Sequence, residues 1–241
     1  MKKLLALLFS LATLAASAQW GNSERVTGNG NLKKETRSVA NFSAVASAGS
    51  MNVQLIYGKP GSVTVEAEEN LLEYIETKVE NNTLKIGTRN YVSIRTNKKI
   101  TVYVTMARLE GVSVAGSGNI DGSGDFGNEG KTWFRIAGSG NINLSFDRIK
   151  QAEIGIAGSG KVILKGKAEQ VNVNISGSGN VECTELVADR VKVNVTGSGN
   201  TRVHADQSLE VSVLGSGDVY YKGNARDIVK HAAGSGKVTK L

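Results

Sequence analysis

Several groups of side chains in this sequence have the types that chemistry needs. The carboxylates Glu153, Glu182, Glu185 and Glu210 are the candidates for work on a polysaccharide. Glycoside hydrolysis needs two carboxyls at a set separation, and lyase chemistry needs a positioned base, often with a cation for the uronate. These four fall at outward or loop positions, with no mutual pattern that singles out a pair, so solvated surface charge accounts for them. Cys183, His204 and His231 are the candidates for a nucleophile or a transition-metal centre. Cys183 shares an inward register with Leu164 and Val203, where a thiol behaves as a small hydrophobe. His204 follows Val203 and should point outward, and His231 lies about one and a half repeats further on. Neither a triad nor a zinc spacing results.

Calcium is a third chemistry, because Gly-rich nonapeptide coils hold it through a recurring aspartate. Here the residue after each Gly-Ser-Gly is Asn119, Asn141, Lys161, Asn180, Asn200, Asp218 or Lys237. One acid in seven cannot supply a row of oxygen cages, and a hydrogen-bonded or solvated asparagine ladder explains the column better. Trp133 and Tyr220 are outward by parity and could each offer a sugar ring an aromatic platform. The duller reading of Trp133 is burial under the Gly-rich segment that precedes it or under the N-terminal strands. The basic group Arg89, Arg95, Lys98 and Lys99 lacks interleaved aromatics, so it reads as a solvated flank and not as a nucleic-acid site; anionic glycan or envelope lipid is its outside alternative.

The elements that position these residues come from a repeat. Gly-Ser-Gly begins at Gly116, Gly138, Gly158, Gly177, Gly197, Gly215 and Gly234, in steps of 22, 20, 19, 20, 18 and 19 residues, with a stray copy at Gly122. Such self-similarity marks a solenoid, in which one unit stacks on the next. Two positions before each first glycine stand Val114, Ile136, Ile156, Ile175, Val195, Val213 and Ala232; four before stand Val112, Phe134, Ile154, Val173, Val193, Val211 and Lys230. A period of two puts both sets on one apolar strand face. After the corner Ile120, Ile142, Val162, Val181, Thr201, Val219 and Val238 open a second strand, and Leu144, Leu164, Cys183, Val203 and Tyr221 continue it. The glycines mark a sharp corner whose copies approach closely.

The expected fold is therefore all-β, a right-handed parallel β-helix or β-solenoid of about seven short rungs over 111–241. Handedness follows from rungs of unequal length without an internal hexad. The segment from Asp121 to Gly130 should project as a loop, and Lys230 and Lys240 should make the last rung a polar cap. Residues 41–110 read as a β region containing hairpins: Met51–Tyr57 with Ser62–Ala67, and Ile75–Glu80 with Thr83–Ile86 around Asn81-Asn82, with a helical turn from Glu69. Residues 19–40 read as a linker or loose first strand. Lys2-Lys3, the apolar run Leu4–Leu14 and Ala16-Ser17-Ala18 read as a signal peptide over 1–18, so the chain is expected in the periplasm, on the outer surface or secreted, without a transmembrane segment in its mature form. Removing Lys2 and Lys3 lowers the formal charge from +7 to +5. With one cysteine, no internal disulfide can form, so burial and backbone ladders must hold the molecule together.

The exported N-terminus, the opening strand Phe42-Ser43-Ala44-Val45-Ala46, the hairpin from Thr77 to Ile86, and Ser113-Val114-Ala115-Gly116-Ser117-Gly118-Asn119-Ile120 leading repeated Gly-Ser-Gly-Asn units resemble the bacterial head-GIN-domain family of auto-transporter-type adhesins. The resemblance covers Asn41 to Val238. It implies a β-helix similar to that of pectin lyases, without a recognised catalytic centre, and a role in adhesion. The functional expectation is a non-enzymatic, adhesin-like module with no cofactor and no metal. Its partner would be a surface glycan or protein and not nucleic acid, met through Trp133, Tyr220 or repeated outward side chains such as Asn172, Asn174, Lys192 and Asn194. The alternatives are a polysaccharide-acting or carbohydrate-binding β-helix protein and a self-associating periplasmic scaffold.

Overall fold

The computed structural model describes residues 24–124, 126–128 and 130–241; the signal-peptide segment lies outside the described residues. The chain opens with β1 (Glu24–Thr27), β2 (Leu32–Ser38), β3 (Ala44–Gly49), β4 (Asn52–Tyr57) and β5 (Ser62–Glu68). A 3-10 helix over Glu69–Tyr74 leads to β6 (Ile75–Glu80), β7 (Thr83–Thr88), β8 (Val92–Arg95) and β9 (Thr101–Met106). The repeat follows as β10 (Gly111–Gly116), β11 (Asn119–Ser123), β12 (Lys131–Gly138), β13 (Asn141–Gly158), β14 (Lys161–Gly177), β15 (Asn180–Gly197) and β16 (Thr201–Gly215). The last rung is β17 (Val219–Lys222), β18 (Asp227–Gly234) and β19 (Val238–Lys240).

From β10 onward the ladders among the described residues are parallel, and apart from bulges within β13–β16 they keep register from rung to rung, with Gly116, Gly138, Gly158, Gly177, Gly197 and Gly215 aligned. The seven corners thus enclose six turns of a β-solenoid. Alternation sends the apolar columns inward: Ile142, Leu144, Ile154 and Ile156 are buried, and so are their counterparts Val162, Leu164, Val173 and Ile175. Two-residue gaps in this alternation, between Ile149 and Ala152 or between Ala168 and Val171, let the strand bend and begin the next side of the coil.

The corner geometry accounts for the tripeptide. The first glycine of each corner has φ between +118° and +129°, which an L side chain rarely adopts. A Cβ there would lie 2.1–2.6 Å from the carbonyl oxygen of the aligned glycine one rung earlier. That carbonyl accepts two donors from the next corner: Ser139 N and Gly140 N reach Gly116 O at 2.9 Å each, and Ser198 N and Gly199 N reach Gly177 O at 2.9 and 3.1 Å.

The stack begins before the Gly-Ser-Gly run. β3 and β4 lie in register with β10 and β11 around Gly49-Ser50-Met51, and Gly49 O receives Ser117 N and Gly118 N. Met51 stands where the third glycine would be, which hid this corner from the repeat pattern. β7 and β9 add one further layer. The expected hairpin β6–β7 forms, with Asn81 and Asn82 at positive φ. The expected β4–β5 hairpin does not: β9 pairs with both strands and so lies between them. β6, β5 and β2 run antiparallel to their neighbours and close this end, over Leu71, Leu72 and Ile75. Arg37 on β2 pins the closure by donating to the carbonyls of Leu72 and Ile75.

The stray Gly-Ser-Gly is not a corner. Gly122 occupies an inward slot between Leu55 and Leu144, where a Cβ would approach Leu55 Cβ to 2.8 Å. The following segment is anchored and does not simply project: Phe126 is buried, edge-on to Tyr57 and Phe146. At the far end Lys230 Nζ lies 4.8 Å from the Tyr221 ring centroid and donates to its hydroxyl at 3.3 Å, a polar cover over the last apolar layer.

The two classes of glycine separate in a stability measurement. Gly158→Ala meets the Gly138 carbonyl and is expected to cost about 2–4 kcal/mol in urea unfolding. Gly155→Ala, at ordinary φ with nothing nearer than 4.0 Å, is expected to be neutral or to add about 0.5–1 kcal/mol. Equal costs at the two positions would contradict the corner assignment.

Candidate functional site

The four candidate carboxylates are each paired across rungs. Glu153 meets Lys131 at 2.6 Å, Glu185 meets Lys165 at 3.0 Å, Glu210 meets Lys192 at 2.7 Å, and Glu182 meets Arg202 at 3.6 Å while accepting from Thr184. Parallel registration places residues one rung apart side by side, so an acid and a base in one outward column, such as Lys192 with Glu210 or Glu182 with Arg202, become neighbours, and Lys131 reaches Glu153 diagonally. The four acids are thus engaged in separate lateral pairs and do not converge.

Cys183 is buried, and burial pushes its thiol up to about 12. His204 is not simply outward. It sits mostly buried at the bend after β16 begins, where Gly223 on the next rung leaves it room, and its Nε2 lies 3.2 Å from Asp206 Oδ1. His231 is exposed on β18. These three residues form no common centre.

The asparagine column is a hydrogen-bonded ladder in two segments broken at Lys161. Asn119 donates to Asn52 Oδ1 at 2.8 Å and Asn141 to Asn119 Oδ1 at 2.7 Å. Beyond the lysine, the side-chain oxygens of Asn180, Asn200 and Asp218 accept the backbone N–H groups of Asn200, Asp218 and Lys237. These bonds engage the oxygens that a row of cation cages would require.

Trp133 and Tyr220 lie on different faces and four rungs apart, roughly 19 Å at the strand spacing. Tyr220 carries Arg202 over its ring at 5.0 Å and points its hydroxyl to Asp218. Trp133 is half-buried. Its indole lies over Gly111 of the preceding rung, where a Cβ would come within 2.1 Å of the ring. Arg135, two residues on, stacks on the indole at 5.2 Å.

Beside Trp133 the face before the corner carries an open trough of about 700 Å³. It is built from two outward columns: Ser113, Arg135, Gly155, Asn174 and Asn194, and next to them Ala115, Ala137, Ala157, Ser176 and Thr196. The low point is Gly155, with Arg135 one rung away on one side and Asn174 one rung away on the other. Asn194 Nδ2 donates to Asn174 Oδ1 at 3.0 Å, which leaves the Asn174 amide as donor and the Asn194 carbonyl as acceptor toward the trough. The carboxylate nearest Arg135 in register, Glu153, is taken by Lys131. Among the described residues Arg135 has no ion-pair partner, and the residue is exposed. Past Ser113 and Ala115 the alanine column continues through Ala48 to Gly87 at the closed end.

The outward Asn174 and Asn194 expected from the sequence thus line the trough, while Asn172 and Lys192 lie one column away, bonded to Gln170 and Glu210. Gly155, Arg135 and the alanines escaped the sequence reading. Their signal was available as a glycine in a column where every other corner repeat from Gly116 to Gly215 has a side chain.

A family model described as "Putative auto-transporter adhesin, head GIN domain" matches residues 41–225. Among solved structures, the chain is similar to a "putative adhesin" from Bacteroides fragilis NCTC 9343, with 22% identity and TM-score 0.78 over 90% of this chain and 100% of that one. It is similar to a "putative adhesin" from Parabacteroides distasonis ATCC 8503, with 24% identity and TM-score 0.71 over the same shares. A "putative lipid binding protein" from the same organism gives 24% identity and TM-score 0.70, again over 90% and 100%. At these identities the likeness speaks for the fold. No curated protein matches the chain.

The thiol gives a check on the core. Native protein is expected to resist a thiol reagent at pH 8 and to react fully after denaturation. The unfolded thiol ionises from about pH 8.5 while the folded one holds its proton to about 12. Stability from this group is therefore intact below that window and falls as pH rises through it. Rapid labelling of native protein at pH 8 would contradict the burial.

Proposed function

The chain belongs to the head GIN domain family, and we propose that it is a non-enzymatic, exported adhesin-like module that binds its partner on the trough face of the solenoid. The observation that carries this reading is the trough itself. It is a preformed concavity of the size ligands use, on a rigid stacked face, with one guanidinium, two amides and the hydroxyls of Ser113, Ser176 and Thr196 as its polar side-chain groups and no titratable pair within it. The family's adhesin description and the solved adhesins of the same fold agree with it. No helix among the described residues is long and apolar enough to cross a membrane, which is compatible with export.

The mechanism is shape and repetition. Each rung offers one side chain per column, so a partner that is itself repetitive meets several copies of a weak contact at a spacing of about 4.8 Å. The competing enzymatic reading would need a carboxylate pair free to act on a bound sugar, whereas the four acids singled out by the sequence are held in lateral ion pairs.

Beads coated with the protein are expected to be retained on some members of a panel of immobilised glycans and matrix proteins, with no release of reducing or unsaturated ends. Filling the trough with Gly155→Leu, at a position where a Cβ meets nothing within ordinary contact distance, is expected to lower retention about tenfold. Turnover by the purified protein, or retention on no surface at all, would overturn the adhesin reading.

A further inference from the structure

The centre of the trough holds a residue that the fold does not ask for. Gly155 lies within β13, at ordinary φ, and a Cβ there would meet nothing closer than Arg135 Cγ at 4.0 Å. Its column carries Ser113, Arg135, Asn174, Asn194 and Ser212 in the neighbouring rungs. A glycine inside a strand sacrifices backbone entropy and a packing side chain, and here no close approach of backbone compensates for it. What it does provide is a gap of about 10 Å, two rungs wide, between the Arg135 and Asn174 side chains.

We propose that this trough binds an acidic polysaccharide chain laid across the rungs, with a uronate ring seated over Gly155 and its carboxylate paired to Arg135. This inference rests on the adhesin reading and names its ligand class. Three features select the occupant. The trough spans five strands, about 19 Å, at a step of about 4.8 Å per rung. An extended hexose chain advances by close to one rung per sugar, whereas an extended peptide advances only about 3.3 Å per residue and drifts out of register. The alanine column gives a flat apolar floor suited to the C–H face of a sugar ring, and the Asn174 and Asn194 amides offer a donor and an acceptor to hydroxyls. The one exposed cation in the trough is Arg135, held against the Trp133 indole and without a carboxylate partner among the described residues. A planar guanidinium fork of this kind pairs with carboxylate in bidentate fashion. Trp133 in this arrangement is the support for Arg135 and not the platform for the sugar.

The test is titration calorimetry of the exported chain with a galacturonate tetrasaccharide, its methyl-esterified form, a neutral cello-tetrasaccharide and, as a separate arm, phosphatidylglycerol vesicles. The expected result is binding of the acid form, with the ester and the neutral sugar at least about tenfold weaker. Arg135→Gln should lose about tenfold or more toward the acid form and nothing toward the neutral sugar. Gly155→Leu should lose both, while Lys98→Gln with Lys99→Gln, remote basic residues, should change neither. Urea unfolding of each variant confirms that it is folded.

Unchanged affinity in Gly155→Leu would overturn the site. Equal affinity for acid and ester with an indifferent Arg135→Gln would overturn the uronate assignment and leave a neutral-glycan adhesin standing. A loss in the Lys98/Lys99 variant equal to that of Arg135→Gln would mean diffuse charge attraction and also overturn the assignment. Absence of binding to all three sugars, or binding only to phosphatidylglycerol vesicles, would overturn the glycan proposal, while the bead assay judges adhesion separately.

Discussion

The rest of this molecule depends on one contact: the carbonyl of the first glycine in a corner, which accepts backbone N–H groups from the corner above, from both serine and glycine at Gly49, Gly116, Gly138, Gly177 and Gly197, from Ser178 alone at Gly158 and from Gly236 alone at Gly215. A turn that ends a strand normally leaves backbone groups to water. Here the next rung satisfies them, and it can do so only if the two backbones come closer than a Cβ permits. The spacing of the corners fixes the register of every strand that leaves them. Register in turn decides which side chains fall inward, because a slip of one residue would exchange the two faces. The apolar columns supply most of the stabilising burial, at about 1.5–3 kcal/mol for each large aliphatic residue. The corners decide that those residues meet.

A stack of identical layers has the problem of its ends, and the two ends of this one are treated differently. At the N-terminal end the chain changes direction: antiparallel β5 and β6 cover the last parallel layer, and Arg37 holds the short helix across it. At the other end β18 and β19 continue the parallel stack and no further strand covers them among the described residues. The inward slot of Val211 is followed by Lys230, whose stem and ammonium lie across Tyr221. Lysine on an exposed edge discourages pairing with another strand, so the charged residue that broke the apolar ladder both covers the core and blunts the edge.

Legibility in the sequence followed the strength of the periodic signal. The seven corners, the four apolar columns, the hairpin at Asn81-Asn82 and the outward Asn174 and Asn194 could all be read, because period two and positive-φ residues leave a direct mark. The corner at Gly49-Ser50-Met51 was lost to one substitution. The exchange of partners that places β9 between β4 and β5 was lost because two alternating strands around a turn look the same whether or not they pair. Gly122 and Phe126 show the converse: a Gly-Ser-Gly in the sequence became a packing slot, and a Gly-rich insertion proved to carry an aromatic anchor. The trough was missed because it is made of short side chains, and attention to chemistry-bearing residue types passes over alanine and glycine.

The glycines separate what the fold requires from what it leaves free. At Gly116, Gly138 and their successors, conformation and a backbone neighbour both forbid a side chain, so these residues say nothing about a ligand. Gly155 has neither constraint. The same division applies to charge. A carboxylate opposite a lysine one rung away is accounted for by lateral pairing, and such pairs hold little energy on an exposed face. Arg135 has an indole beneath it and, among the described residues, no carboxylate paired with it, so it is the charge on this face that pairing within the described stack does not account for. In a solenoid, where nearly every inward and corner position is dictated by its neighbours above and below, evidence for function lies in outward residues that break the pattern of their column without any demand from the stack. Gly155 and Arg135 are one rung apart and open onto the same concavity.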